Sequence, residues 1–238
     1  MNYIDAHCHL IAPDDLSRAN AAGVCGFIIN AAQMSDWGRI AAAATARSDI
    51  YGAVGIHPWY VDELPDDWEN RLREVLARQP RLMVGECGLD STRPDTRRQA
   101  AVFQAHLQIA HDMGRAVHVH CVGCWGMMLD ILRTAPSVPA LVFHAFAGAP
   151  DIMPELARYN SYFSFGGGIL DSRHRRMINS ATRADVNRIL IESDAPDSHF
   201  MPRDLADVAA HIAAFHAMPI TEMSQIIYDN TLRMIQHG

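Results

Sequence analysis

The sequence predicts an α/β protein built as a single (β/α)8 barrel of the TIM type with an extra helix at its C-terminus. Three observations carry that reading. Eight short apolar runs recur along the 238 residues, amphipathic stretches of helical period separate them, and six of the eight runs lead into a histidine or an acid. The length lies in the range where such barrels run as one unit, and no Gly/Ser linker, biased tract or short repeat divides the chain, so residues 1–238 are expected to form one domain.

Taken in order, the runs are 3–4 leading into His7, then 24–29, 51–55, 82–85, 116–119, 141–143, 162–165 and 189–191. Runs such as Val24-Cys25-Gly26-Phe27-Ile28-Ile29 do not alternate apolar with polar, as expected of parallel strands buried on both faces. Between them, 67–78, 96–113, 125–134 and 203–218 carry helical periodicity, several after an Asp, Ser or Pro start signal. Residues 221–235 would form the extra closing helix.

Composition narrows the function. With 49% apolar and 20% charged residues the chain is an ordinary globular protein, and a net charge of −7 supplies no whole-molecule field for a polyanion. No apolar stretch approaches the ~20 residues that cross a bilayer, and Met1-Asn2-Tyr3-Ile4-Asp5 lacks the pattern of a secretory leader, so no membrane association is expected. Five cysteines form an odd set without a disulfide framework. Cys121 and Cys124 have CxxC spacing but no second pair to complete a zinc knuckle, which fits a reducing cytoplasm. Nothing indicates an obligate protein partner. Every base is arginine, because the chain has no lysine.

In an α/β barrel the chemistry sits at the carboxyl ends of the strands. There the sequence places His7 and His9, His57, Glu86, His120, His144 and Asp194. Residues two apart on a strand face the same way, so His7 and His9 would both enter the barrel mouth. Imidazole and carboxylate suit borderline divalent metals, and His7, His9, Glu86, His120, His144 and Asp194 exceed the three or four ligands of one ion. Two divalent ions (Zn, Mn, Co or Mg) are therefore expected. The missing lysine rules out a carboxylated-lysine bridge and a lysine Schiff base, which leaves Glu86 as the bridging carboxylate.

These residues lie in motifs whose order resembles the TatD family of metal-dependent, deoxyribonuclease-like hydrolases. The motifs are Asp5-Ala6-His7-Cys8-His9-Leu10, Gly55-Ile56-His57-Pro58-Trp59 and Gly85-Glu86-Cys87-Gly88-Leu89-Asp90. The likeness continues through Gln99, Phe103 and Leu107, His120, Val142-Phe143-His144-Ala145-Phe146-Ala147-Gly148, Ser164-Phe165-Gly166-Gly167, Glu192-Ser193-Asp194-Ala195-Pro196 and Asn230. It implies a (β/α)8 barrel with two ions on the six ligands just named, and hydrolysis of a phosphoester, most plausibly in DNA, by metal-activated hydroxide. Asp194 would bind metal and orient or deprotonate the nucleophile. Two features depart from the family pattern: Val122 stands where an arginine usually follows the strand-five histidine by two, and the segment 11–23 is short.

That departure leaves open a second activity on the same site, hydrolysis of a carboxylic ester or amide. A third reading, a barrel kept only for binding, fits poorly with ligands at open strand ends. On the substrate side, His57 is expected either to bond a substrate oxygen or to fix its His-Pro turn, and Trp59 to stack on a base or sugar or to pack. Arg173, Arg175 and Arg176 form a basic cluster that could supply the phosphate contact Val122 lacks, or simply a solvated helix face. His118 is read as a partner behind the ligands, a ligand or a buried filler. His106, His111, His174, His199, His211, His216 and His237 are read as helix-surface or packing residues, and Met127 and Met128 as core.

Overall fold

The computed structural model describes residues 1–9, 12–196 and 198–236. Leu10 of the first motif, Ile11 of the short segment after it, and His237 lie outside the described residues. Eight parallel strands run in chain order around the sheet: β1 (Tyr3–Cys8), β2 (Val24–Asn30), β3 (Ile50–Val54), β4 (Leu82–Asp90), β5 (Val117–Val122), β6 (Leu141–Phe143), β7 (Ser161–Phe165) and β8 (Ile189–Ile191). Among the described residues nine α-helices alternate with and follow them: α1 (Pro13–Ala21), α2 (Met34–Ala46), α3 (Trp68–Arg78), α4 (Thr96–Met113), α5 (Trp125–Thr134), α6 (Met153–Ala157), α7 (Arg175–Arg183), α8 (Leu205–Phe215) and α9 (Ile220–Gln236).

All eight strands and the extra C-terminal helix fall where the apolar runs and the final amphipathic stretch place them. The register is in step from β2 to β3 and from β5 through to β8. Strands β1 and β8 meet through two backbone bonds at the mouth, His9 N–H to Ala195 O (2.7 Å) and Asp194 N–H to His7 O (3.0 Å). The two histidine motifs of the first strand are thereby stitched to the aspartate motif of the last.

Two layers of apolar side chains support this frame. One small cluster takes a residue from every strand or, at β5, from the position just before it, including Ile4, Ile28, Met83, Ala116, Val142, Tyr162 and Leu190, and is joined by Met234 of α9. Val142 lies two residues before His144, so strand alternation places this cluster inside the barrel, beneath the histidines. The larger cluster lies between strands and helices and includes Phe27, Trp37, Phe103, Phe143 and Phe163. Met128 belongs to it, whereas Met127 is exposed on the first turn of α5 and is not core.

Strand β4 is longer than its apolar run, so Glu86 lies within the strand and not at its end. Its ladder to β5 shifts register between Val84 and Cys87. Gly85 and Gly88 explain how: both have φ in the left-handed half (136° and 143°), and a Cβ on either would stand 2.7 Å or less from a carbonyl oxygen of His118 or His120. Only glycine permits that approach.

Candidate metal centre at the barrel mouth

Glu86 is the hub. Its carboxylate lies 3.3 Å from His7 Nε2, 3.7 Å from His9 Nε2, 3.4 Å from His57 Nε2, 3.0 Å from His120 Nδ1 and 2.8 Å from His144 Nε2. Asp194 lies 3.9 Å from His7 Nε2 and 3.7 Å from His9 Nε2. Three overlapping groups could each hold a metal ion: His7, His144 and Asp194; His7, His9 and Glu86; and His57, Glu86 and His120. All six ligands expected from the sequence therefore converge, and His57 joins them.

The outward-facing ring nitrogens decide which lone pairs point inward. His9 Nδ1 lies 3.0 Å from the Asn30 carbonyl, which can only accept, so Nδ1 carries the proton and Nε2 presents a lone pair to Glu86 and Asp194. His120 Nε2 lies 3.4 Å from Asp90 Oδ2, which leaves Nδ1 facing the hub. His57 is the reverse case. Its Nδ1 accepts the Trp59 N–H at 3.2 Å, so Nε2 carries the proton and aims a donor at the centre. It fixes its turn and faces the pocket at once, and its protonation suits an oxygen partner better than a metal.

Electrostatics favour a cation here. Neither nitrogen of the buried His7 makes a hydrogen bond, nor does His144 Nδ1, although the two rings stack at 4.0 Å. Burial, then the neighbouring His144, pushes His7 far below the usual imidazole range, so it offers neutral nitrogens. His144 is penalised by burial but drawn well above that range by the Glu86 and Glu192 carboxylates. Glu86 is held well below the usual carboxylate range because the surrounding histidines outweigh its burial. A buried anion ringed by imidazoles with unpaired nitrogens is a donor set that fits divalent metal.

Behind the ring stand residues that the sequence reading did not single out. Asp5 accepts from Ser193 N–H (3.0 Å) and Ser193 Oγ–H (2.6 Å), and Glu192 accepts from Ala145 N–H (2.6 Å) beside His144. Both neighbours of these contacts hold unusual backbones, with φ of 55° at Asp194 and 42° at Ala145. Outliers of this kind gather where surroundings over-determine a functional side chain. Asp90 accepts from Trp59 Nε1 (2.6 Å) and Thr92. Spacing could have found two of them: Asp5 shares the face of His7, and Asp90 shares that of Glu86.

His106 takes the packing alternative: it is buried on α4, where Nδ1 donates to Val102 O (2.7 Å) and Nε2 accepts the N–H of Ile56, the residue before His57. His118 is buried with neither nitrogen hydrogen-bonded, its ring 6.0 Å from His7. His111, His174 and His211 bond main-chain carbonyls at exposed positions, and His216 does so half-buried.

The pocket over the hub, about 300 Å³, is lined by His9, Ala32, His57, Trp59, Tyr60, Glu86, His120, His144 and Asp194. Trp59 is 49% exposed at its rim. Arg173, Arg175 and Arg176 are not brought into it. They line a separate hollow with Ala147, Gly168 and Met177, and Arg173 is clamped by Asp171 through Nε and Nη2.

A (β/α)8 barrel with convergent histidines and carboxylates at its strand ends defines a metal-dependent hydrolase acting on ester bonds. The chain belongs to the TatD related DNase family, whose model matches residues 4–236. It is 29% identical over 195 residues to the 3'-5' ssDNA/RNA exonuclease TatD of Enterobacter lignolyticus, covering 80% of this chain and 74% of that protein. To the exonuclease of the same name from Musicola paradisiaca it is 25% identical over 242 residues, covering 94% and 91%. The crystal structure of YJJV, a TatD homologue from Escherichia coli, superimposes with a TM-score of 0.90 at 26% identity, over 98% of this chain and 97% of that one.

Proposed function

We propose that this single-domain barrel hydrolyses phosphodiester bonds of single-stranded nucleic acid, in the cytoplasm, with two divalent ions on His7, His9, Glu86, His120, His144 and Asp194. The observation that carries the reading is the commitment of His9 Nδ1 and His120 Nε2 to outer acceptors, which turns the other nitrogen of each ring toward the Glu86 carboxylate. Bound ions there would supply Lewis-acid polarisation and lower the pKa of water. Glu86, the anion every imidazole faces, would help hold those ions. Asp194 would bind metal and orient or deprotonate the attacking water. His57, held at about 3 by burial, stays neutral and donates its Nε2–H to a substrate oxygen. Trp59 offers a half-exposed indole for a base, which a strand without a partner can present. Arg175 and Arg176, whose charges no acid neutralises among the described residues, extend the phosphate track beyond the pocket, with the Asp171-paired Arg173 beside them.

The test is metal analysis of the reconstituted protein together with cleavage of a single-stranded oligonucleotide before and after chelation. Close to two ions per chain and chelator-sensitive cleavage are expected. Trace metal after reconstitution would overturn the binuclear centre. The exposed Val122 at the mouth favours a second reading, carboxylic ester or amide hydrolysis, which a parent that ignores nucleic acid but turns over such substrates would establish.

A further inference from the structure

Arg93 is set unlike most arginines of this protein. Arg39, Arg47, Arg71, Arg73 and Arg133 are each paired with a carboxylate. The Arg93 guanidinium has no ion pair among the described residues and instead lies over the indole of Trp59, 4.2 Å from the ring centroid. The carboxylate that holds the same indole is engaged with other donors. Asp90 already accepts from Trp59 Nε1 (2.6 Å), Thr92 N–H (2.8 Å) and Thr92 Oγ–H (2.6 Å), with His120 Nε2 at 3.4 Å.

The position of this cation is defined from both sides. Arg93 sits in the turn after β4, its N–H bonded to Asp90 O (3.2 Å), and Trp59 is part of the pocket wall over Glu86. On the neighbouring strand Val122 pairs in register with Asp90 and is 41% exposed, so that strand end brings no charge to the rim. An exposed guanidinium loses side-chain entropy when it is stacked. Stacking restrains its planar fork of N–H donors and so pre-organises it for an anion with two oxygens.

We propose that Arg93, held on Trp59, binds a substrate phosphate at the rim of the metal pocket and so supplies the phosphate contact that Val122 cannot. This rests on the phosphodiester reading above. Asp90 pins the indole, the indole orients the guanidinium, and the guanidinium takes the phosphate next to the one at the hub.

The experiment is steady-state cleavage of a short single-stranded oligothymidylate by the metal-reconstituted protein across a salt series. Arg93→Gln is expected to raise KM about 10-fold with kcat within about twofold, and to flatten the salt dependence of log(kcat/KM) by about 0.7, the value of one single-strand phosphate contact. Arg93→Lys keeps the charge, so it should retain the salt slope while still raising KM, because an ammonium neither stacks nor forks. In a Trp59→Leu background the Arg93→Gln effect should shrink, since the two act as a unit. If the parent cleaves the oligonucleotide and Arg93→Gln leaves KM and slope unchanged, the assignment of Arg93 is overturned while the nuclease reading stands. If the parent neither binds nor cleaves it, the nuclease reading falls and takes this assignment with it.

Discussion

Asp5 and Ser193, 188 residues apart, are joined by two hydrogen bonds that tie the first strand of the barrel to the residue before Asp194. Ser193 Oγ also accepts the N–H of Ala195, so one hydroxyl organises the whole turn that presents the aspartate. Burial lifts Asp5 to about 7, which these bonds oppose. Ser193→Ala leaves a buried carboxyl oxygen without its strongest donor and should lower unfolding stability by about 1–3 kcal/mol. Urea denaturation with an unchanged slope would measure it, and metal affinity should weaken in the same variant because Asp194 loses its support.

Glu86→Gln tests the hub. The substitution keeps volume but removes the charge that all five imidazoles face. Turnover should fall more than about 100-fold, and metal content should drop, with the circular dichroism spectrum unchanged. Normal turnover would show that the bridge lies elsewhere.

Much of this centre was legible in the sequence because barrel geometry converts strand ends into a ring. His7, His9, His120, His144 and Asp194 needed only the strand assignment to be brought together. Glu86 reaches the mouth from within its strand and not from its end, because the shift that Gly85 and Gly88 permit cannot be read from an apolar run. What the sequence hid was partnership across distant segments. Nothing local to α4 says that His106 reaches Ile56, or that Asp90 serves both Trp59 and His120, since those contacts exist only after the helices pack.

His106 gives a pH-dependent prediction. Burial holds its ring at about 4 against 6.5 in the open chain, so between those values the unfolded chain binds the extra proton. Its contribution to stability is complete above pH ~6.5 and is lost as pH falls toward ~4, about 3 kcal/mol in all at about 1.4 kcal/mol per pH unit. Denaturant unfolding at pH 7 and pH 4.5 should therefore show a decrease smaller by about 2–3 kcal/mol in His106→Gln than in the parent. Equal decreases would mean that other groups carry the acid sensitivity.

Arg175 and Arg176 lie in a hollow apart from the metal pocket, while Asp171 neutralises Arg173. Replacing both Arg175 and Arg176 by Gln should flatten the salt dependence of oligonucleotide cleavage by about 1.4, two single-strand contacts, with metal content unaltered. Arg173→Gln alone should change the slope little, because its charge is already spent on an internal acid. An unaltered slope in the double variant would return α7 to a plain solvated helix.

Asp90 links substrate wall and metal centre through one oxygen, Oδ2, which accepts from Trp59 Nε1 and lies 3.4 Å from His120 Nε2. The bonds from Thr92 and Trp59 outweigh its burial and hold it at about 2, so it is an anion at neutral pH. Such a carboxylate fixes the tautomer of His120 and turns its Nδ1 toward the hub. Asp90→Asn keeps the shape and can still accept from Trp59, but withdraws the charge. Metal affinity should fall about 10- to 100-fold by competition with a chelating dye, while the oligonucleotide KM measured at saturating metal rises only slightly. Trp59→Phe should give the opposite split, removing the indole donor and weakening substrate binding while metal affinity stays within about twofold. If both variants instead lose metal and substrate together, the two functions of Asp90 are not separable and the rim and the hub form one rigid unit.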